Sequence, residues 1–219
     1  MLYNQNNMIF KITPIKDELL EKIYSESMKD LGVFYEINWI ENTPSINIVD
    51  DRKTINLMKG RRTEEWLVGW SNGNKVYILN RDNLEKESNH KYDPERYSAL
   101  IKHELSHSFY EVLSNNIHKP VWLCEGVAIH TSGQNKFKKQ PVEFKEFLKF
   151  YEIGGSGVYE ESGFFIQFLI EKFGKEKLLN LIKSSKNTKT EEEFNELFTR
   201  EYGFDLNYSE INRIYTESI

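Results

Sequence analysis

The string His103-Glu104-Leu105-Ser106-His107 sets two imidazoles four positions apart with a carboxylate between them. On an α-helix four residues make slightly more than one turn, so both rings stand on one face with Cβ atoms ~5–6 Å apart. From there two ring nitrogens can converge on one ion at ~2.0–2.1 Å each. Glu104 lies one step round the helix, badly angled for ordinary ligation but facing the water such an ion would hold, which is the place of a general base. The competing reading is chance, since the chain carries five histidines and any amphipathic helix has a partly buried face.

A catalytic zinc takes three protein ligands and keeps a fourth position open. The extended pattern H-E-x-x-H-x-x-G-x-x-H would need Gly at 110 and His at 113, where the chain has Tyr110 and Leu113. Glu125 is the better candidate. In Trp122-Leu123-Cys124-Glu125-Gly126-Val127-Ala128 one acid interrupts an apolar run, and an unpaired carboxylate there is costly to bury without a cation. Gly126 and Ala128 are small enough for close helix approach. A solvent-facing Glu125 is the competing reading, with His118 or His130 then supplying the third ligand. Cys124, alone in the chain, reads as a small buried hydrophobe and excludes an internal disulfide. Trp66 and Trp70 read as core or cleft lining. Asp50-Asp51 receives no role, because strand neighbours point apart.

These residues need elements to hold them. Asp93 as cap and Pro94 at the first turn predict a helix to about Asn115, its apolar positions running Tyr97, Leu100, Ile101, Leu105, Val112 and Leu113. A second helix is expected over Val121 to His130. Upstream, Leu19, Leu20, Ile23, Tyr24 and Met28 predict a helix over Pro14 to Leu31 stopped by Gly32. Short strands are expected at Ser45–Val49 and Thr54–Leu57. A hairpin is expected with Asn72-Gly73 between Trp66–Trp70 and Lys75–Leu79. Downstream the pattern is helical: Tyr159 to Phe173, Lys175 to Lys183, Thr190 to Tyr202 with a Thr190/Glu193 capping box, and Ser209 to Thr216. The sum is an α+β architecture in one domain over 1–219, a helix-plus-sheet part at 1–92 and a helical part at 93–219 that carries the ligands.

Composition narrows the classes. Hydrophobic residues at 39% and charged residues at 29% of 219 belong to a folded chain and not a disordered one. A net charge of −5 argues against a phosphate-binding groove, so no nucleic-acid partner is expected. The basic run Lys136 to Lys139 reads as a solvated loop. No apolar stretch approaches a membrane span, and Met1 to Asn7 lacks the features of a secretion signal, so the expected compartment is the cytoplasm.

His103-Glu104-x-x-His107 followed by Trp122-x-x-Glu125-Gly126-x-Ala128, with Glu125 18 positions after His107, resembles the gluzincin zinc metallopeptidases, in particular the compact bacterial peptidase MA-like group. The resemblance spans roughly residues 60 to 185. It implies a zincin-like fold: a small mixed or antiparallel sheet whose edge strand lines a substrate cleft, a zinc-bearing helix below, and a helical C-terminal portion as the other wall. It also implies Zn2+ held by His103, His107 and Glu125, with Glu104 as general base in peptide-bond hydrolysis and a peptide or protein as substrate. Tyr159, after Gly154-Gly155-Ser156-Gly157, is the candidate oxyanion donor, with Tyr151 as second choice. The strand near Val76 to Leu79 is the candidate for pairing with an extended substrate. Two further readings stand beside this one: a zinc-fold binding or regulatory module without turnover, and a zinc hydrolase of a non-peptide amide.

Overall fold

The computed structural model describes residues 9–217. The stretch from Met1 to Asn7, which bears on a secretion signal, lies outside them. Helix α1 (Glu18–Tyr35) starts where Asp17 accepts the N–H groups of Leu19 and Leu20, each at 3.1 Å. It runs through Gly32 instead of stopping there and ends at Glu36, which takes the left-handed conformation with φ 59°. The extra turn places Tyr35 in the core, where its hydroxyl meets Ser106 Oγ at 2.7 Å. That contact is tertiary, so a local stop signal gave way to it.

Strand β1 (Ser45–Val49) forms as expected, but the segment expected as a second strand is helix α2 (Arg52–Lys59). Asp51 decides it by accepting the Thr54 N–H at 2.7 Å, and Gly60 closes the helix with φ 65°. Four residues of mixed polarity cannot separate helix from strand by periodicity, whereas the cap can. Asp51 thus has a structural role that its pairing with Asp50 in sequence concealed.

Strands β2 (Gly69–Asn72) and β3 (Lys75–Leu79) form the hairpin. Its register pairs Asn72 with Lys75, so the turn residues are Gly73 and Asn74, one position later than expected. Gly73 takes φ 59° at the first turn position, where a type II′ turn calls for glycine. The three-stranded sheet has order β1-β3-β2, with β1 parallel and β2 antiparallel to β3. Strand β3 is therefore central and paired on both sides, which removes Val76–Leu79 as a docking edge.

After the short helix α3 (Leu84–Glu87), helix α4 (Pro94–Ser114) opens on Asp93, whose side chain accepts the Arg96 N–H at 2.8 Å, and closes on left-handed Asn115. It packs on the sheet through β2 and β3 and on helix α5 (Val121–Ser132). Next comes a single π-helical turn at Val158–Ser162, then α6 (Gly163–Phe173), α7 (Lys175–Ser185), α8 (Glu191–Tyr202) and α9 (Tyr208–Thr216). Thr190 caps α8 through the Glu193 N–H, but the Glu193 carboxylate returns to the Lys189 N–H and not to Thr190, so the capping box is displaced by one residue. The described chain is mixed α and β, mostly helical with one small sheet.

The buried hydrophobic residues form one connected cluster that reaches from α1 to α9. Behind α5 it is aromatic: Trp122, Phe147, Phe165 and Phe194 meet with ring centroids 4.7–6.0 Å apart, mostly edge to face. This packing fixes α5 from the rear and leaves its opposite face to α4. No helix among the described residues is long and apolar enough to cross a membrane.

Candidate metal centre

The face that α4 turns to α5 carries His103 and His107, one turn apart as their spacing requires. Their Nε2 atoms lie 3.2 Å from each other, with the rings at 86°. From α5, Glu125 brings Oε2 to 3.3 Å from His103 Nε2 and Oε1 to 3.7 Å from His107 Nε2. One ligand atom from each of the three residues lies within 4.8 Å of the others. His118 and His130 are not brought to this cluster. His118 is exposed beside Glu111, and His130 packs near the Phe34 ring at 6.2 Å between centroids.

Two devices set the helix spacing. Ser106, between the histidines in sequence and beside their face on α4, meets Tyr35 Oη on one side and Thr131 Oγ1 at 2.9 Å on the other, tying α1, α4 and α5 together. Gly126 is the second. A Cβ there would stand 2.9 Å from the Ser162 carbonyl oxygen and from Ile166 Cγ1, so only glycine lets α5 lie against the π-turn and α6. Glu125 inherits its position from that neighbour.

Electrostatics separate the roles. Burial pushes Glu104 up to about 7, with nearby Glu125 adding to the effect and His103 and Lys59 opposing it. Burial pushes His107 down to about 4. For Glu125 burial works upward, yet the two histidines outweigh it and hold the carboxyl at about 2. Burial alone would lower His103, but the close contact with the Glu125 carboxylate and the charge of Glu104 raise it. Glu125 is thus an ionised carboxylate on a buried helix face, with no Lys or Arg within ion-pair reach among the described residues.

The donor set fits a metal ion. Two imidazole nitrogens face each other at 3.2 Å, where at most one N–H can sit between them. Glu125 Oε2 is buried without a hydrogen-bond partner of good geometry. Metal ligation requires an anionic carboxylate, which Glu125 supplies, and neutral imidazoles, the form toward which burial pushes His107.

Glu104 sits beside the ligands and under the sheet. A Cβ on Gly69, the first residue of β2, would fall 3.2 Å from its Cγ and Oε1, so the edge strand passes directly over the carboxylate. Tyr159 lies in the π-turn, where burial first, and then the charges of Glu125 and Glu104, raise its phenol. Tyr151 belongs elsewhere: its ring packs near Phe194 and its charged neighbours are Glu152 and the first turn of α8. The two tryptophans divide. Trp66 is exposed, while Trp70 stacks on Tyr77 at 4.9 Å with the Lys59 ammonium 4.6 Å from its ring centroid.

Three neighbours of the site escaped the sequence reading. Cys124 places Sγ 3.3 Å from His107 Nδ1, so the buried thiol steadies a ligand ring as well as packing. Lys59 acts on Glu104 and Lys138 on Glu125. Lys138 had a misleading context, since the run Lys136 to Lys139 looks uniformly solvated. Lys136 is indeed exposed and pairs with Glu95, whereas Lys138 is half-buried and donates to the Tyr159 carbonyl. The apolar Phe137 between them was the available signal, because it anchors the run against the protein. No family model, curated protein or solved structure matches the chain.

Proposed function

We propose that this chain is a zinc-dependent peptide hydrolase of gluzincin type with a zincin-like arrangement of sheet and helices. One observation carries the reading: His103, His107 and Glu125 converge within 4.8 Å beside a buried Glu104. Zinc, when bound, supplies a Lewis acid that polarises a carbonyl and makes water a competent nucleophile near neutral pH. His103, His107 and Glu125 would hold it.

The protein groups then divide the work. Glu104 accepts a proton from the attacking water and delivers it to the nitrogen leaving the cleaved amide. The Tyr159 phenol stays protonated at physiological pH and can donate to the oxygen on which negative charge develops. Strand β2 has no strand beyond it among the described residues, so an extended peptide can pair with its outer edge while Gly69 keeps the space over Glu104 clear. Cys124 and the Ser106 linkage keep the ligand-bearing helices in register.

Elemental analysis of the purified chain tests the reading, alongside His103→Ala, Glu125→Ala and His130→Ala variants. The expected result is about one zinc per chain in the parent and in His130→Ala, lost in the other two, with peptide hydrolysis following metal content. Two imidazoles and one carboxylate also suit iron(II), so iron in place of zinc would overturn the assignment. Zinc at full occupancy with no hydrolysis of a diverse peptide library would make the chain a binding module.

A further inference from the structure

A cavity of ≈250 Å³ opens beside the candidate centre. It is smaller than the ~300–1,000 Å³ of pockets that enclose a whole small molecule, and suits one side chain or a chain end. Three lining residues join it to the site. Val68 precedes Gly69, which overlies Glu104; Leu100 lies one turn before Glu104 on the same face of α4; and the charge of Lys138 acts on both Glu125 and His103.

The lining is divided by chemistry. Val68, Leu84, Tyr97, Leu100 and Phe137 form an apolar floor, with Val68, Leu84 and Tyr97 buried. Lys91, Arg96 and Lys138 line it as well. None of these three cations is ion-paired with a carboxylate among the described residues. The Arg96 guanidinium lies 4.5 Å from the Phe137 ring centroid, and Lys138 donates to a carbonyl, with the charges of Glu160 and Glu125 acting on it from beyond ion-pair distance. The one acid in the lining, Asp93, is engaged as the cap of α4, and His90 is turned to the Trp66 carbonyl at 3.1 Å. In a chain of net charge −5, a pocket with three cations and one occupied acid is a local reversal of sign.

We propose that this cavity is a specificity pocket for a carboxylate-bearing part of the substrate, either an acidic side chain or a peptide C-terminus, held by Lys138 and Arg96 over an apolar floor. The proposal rests on the peptide-hydrolase reading and names its substrate class. Lys138 carries most of the selection, because it is half-buried and its charge is less screened than that of exposed Lys91 or Arg96.

The test separates binding from turnover. Zinc-loaded Glu104→Gln protein is titrated with fluorescent peptides of one scaffold that carry Glu, Gln or Leu at successive positions, each with a free or an amidated C-terminus. The same peptides are offered to the parent enzyme for cleavage. The expected result is tighter binding of one carboxylate-bearing member by roughly tenfold or more over its uncharged counterpart, the size of a charge-assisted hydrogen bond. A preference that follows the Glu position identifies a side-chain pocket, and one that follows the free terminus identifies a chain-end pocket. Lys138→Met with Arg96→Met should bring the ratio close to one, and Lys138→Arg should restore most of it. Equal binding of charged and uncharged peptides, or a ratio indifferent to the double variant, overturns the pocket even if the parent cleaves peptides. A charge preference without cleavage by the parent keeps the pocket and removes the hydrolase reading.

Discussion

Replacing Glu104 by glutamine should abolish hydrolysis and make the metal-free protein more stable at alkaline pH. Glu104 is buried, and its pKa rises from an ordinary 4.5 to about 7. The folded state therefore binds this proton more tightly than the unfolded chain does. Its contribution to stability is complete below pH 4.5 and is lost as pH rises through 7. At ~1.4 kcal/mol for each tenfold change in proton affinity, the loss is ~3 kcal/mol by pH 8.5. Glutamine keeps the shape without the charge and carries no such dependence. In chelator, the parent and Glu104→Gln should have similar stabilities at pH 5 and diverge by ~3 kcal/mol at pH 8.5, with the variant the more stable. For a chain of this size that is roughly 6–12 °C in Tm. Denaturant unfolding across this pH range measures the gap, and the ligands common to both proteins largely cancel in the difference. A gap that stays flat with pH would refute the claim that a charge is held at a cost under the edge strand. A variant that still hydrolyses peptides at the parental rate would remove Glu104 as the base.

Gly69→Ala should lower kcat strongly while leaving zinc content intact, because the added methyl meets Ile78 Cδ1 at 3.1 Å and Glu104 Cγ and Oε1 at 3.2 Å, with no ligand atom among these nearest contacts; an unchanged kcat would show that the carboxylate needs no such clearance. Arg52 should behave as the anchor of the segment leading into β2. Its guanidinium donates to Thr63 Oγ1 and to the carbonyls of Glu64, Glu65, Leu67 and Glu87. Arg52→Lys cannot reproduce that fork, so faster hydrogen exchange over residues 61–69 and a loss of roughly 1–3 kcal/mol are expected, and unchanged exchange there would deny the anchoring role.

The chain by itself determined most of the helices, α2 excepted, and the position of the chemistry within them. Asp93-Pro94 marked the start of α4 and Asn115 followed its end. The four-residue spacing put His103 and His107 on one face, and the lone acid in an apolar run singled out Glu125. These are local properties, set by hydrogen-bond rings, caps and the 3.6-residue turn, and they can be read without knowing what lies across the core. Other features were settled only by partners distant in sequence. Tyr35 drew α1 past Gly32 through its bond to Ser106, 71 positions away. Strand β1 paired with β3, so Val76–Leu79 became central and β1 and β2 lie at the edges among the described residues. Lys138 left a solvated run to donate to the Tyr159 carbonyl, from where its charge acts on Glu125, and Gly126 set how closely α5 could approach α6. A sequence names which residues are apolar, acidic or small, but the distance between two helices, the order of strands and the field at a buried carboxylate belong to the packed whole, because each depends on atoms that only folding brings together.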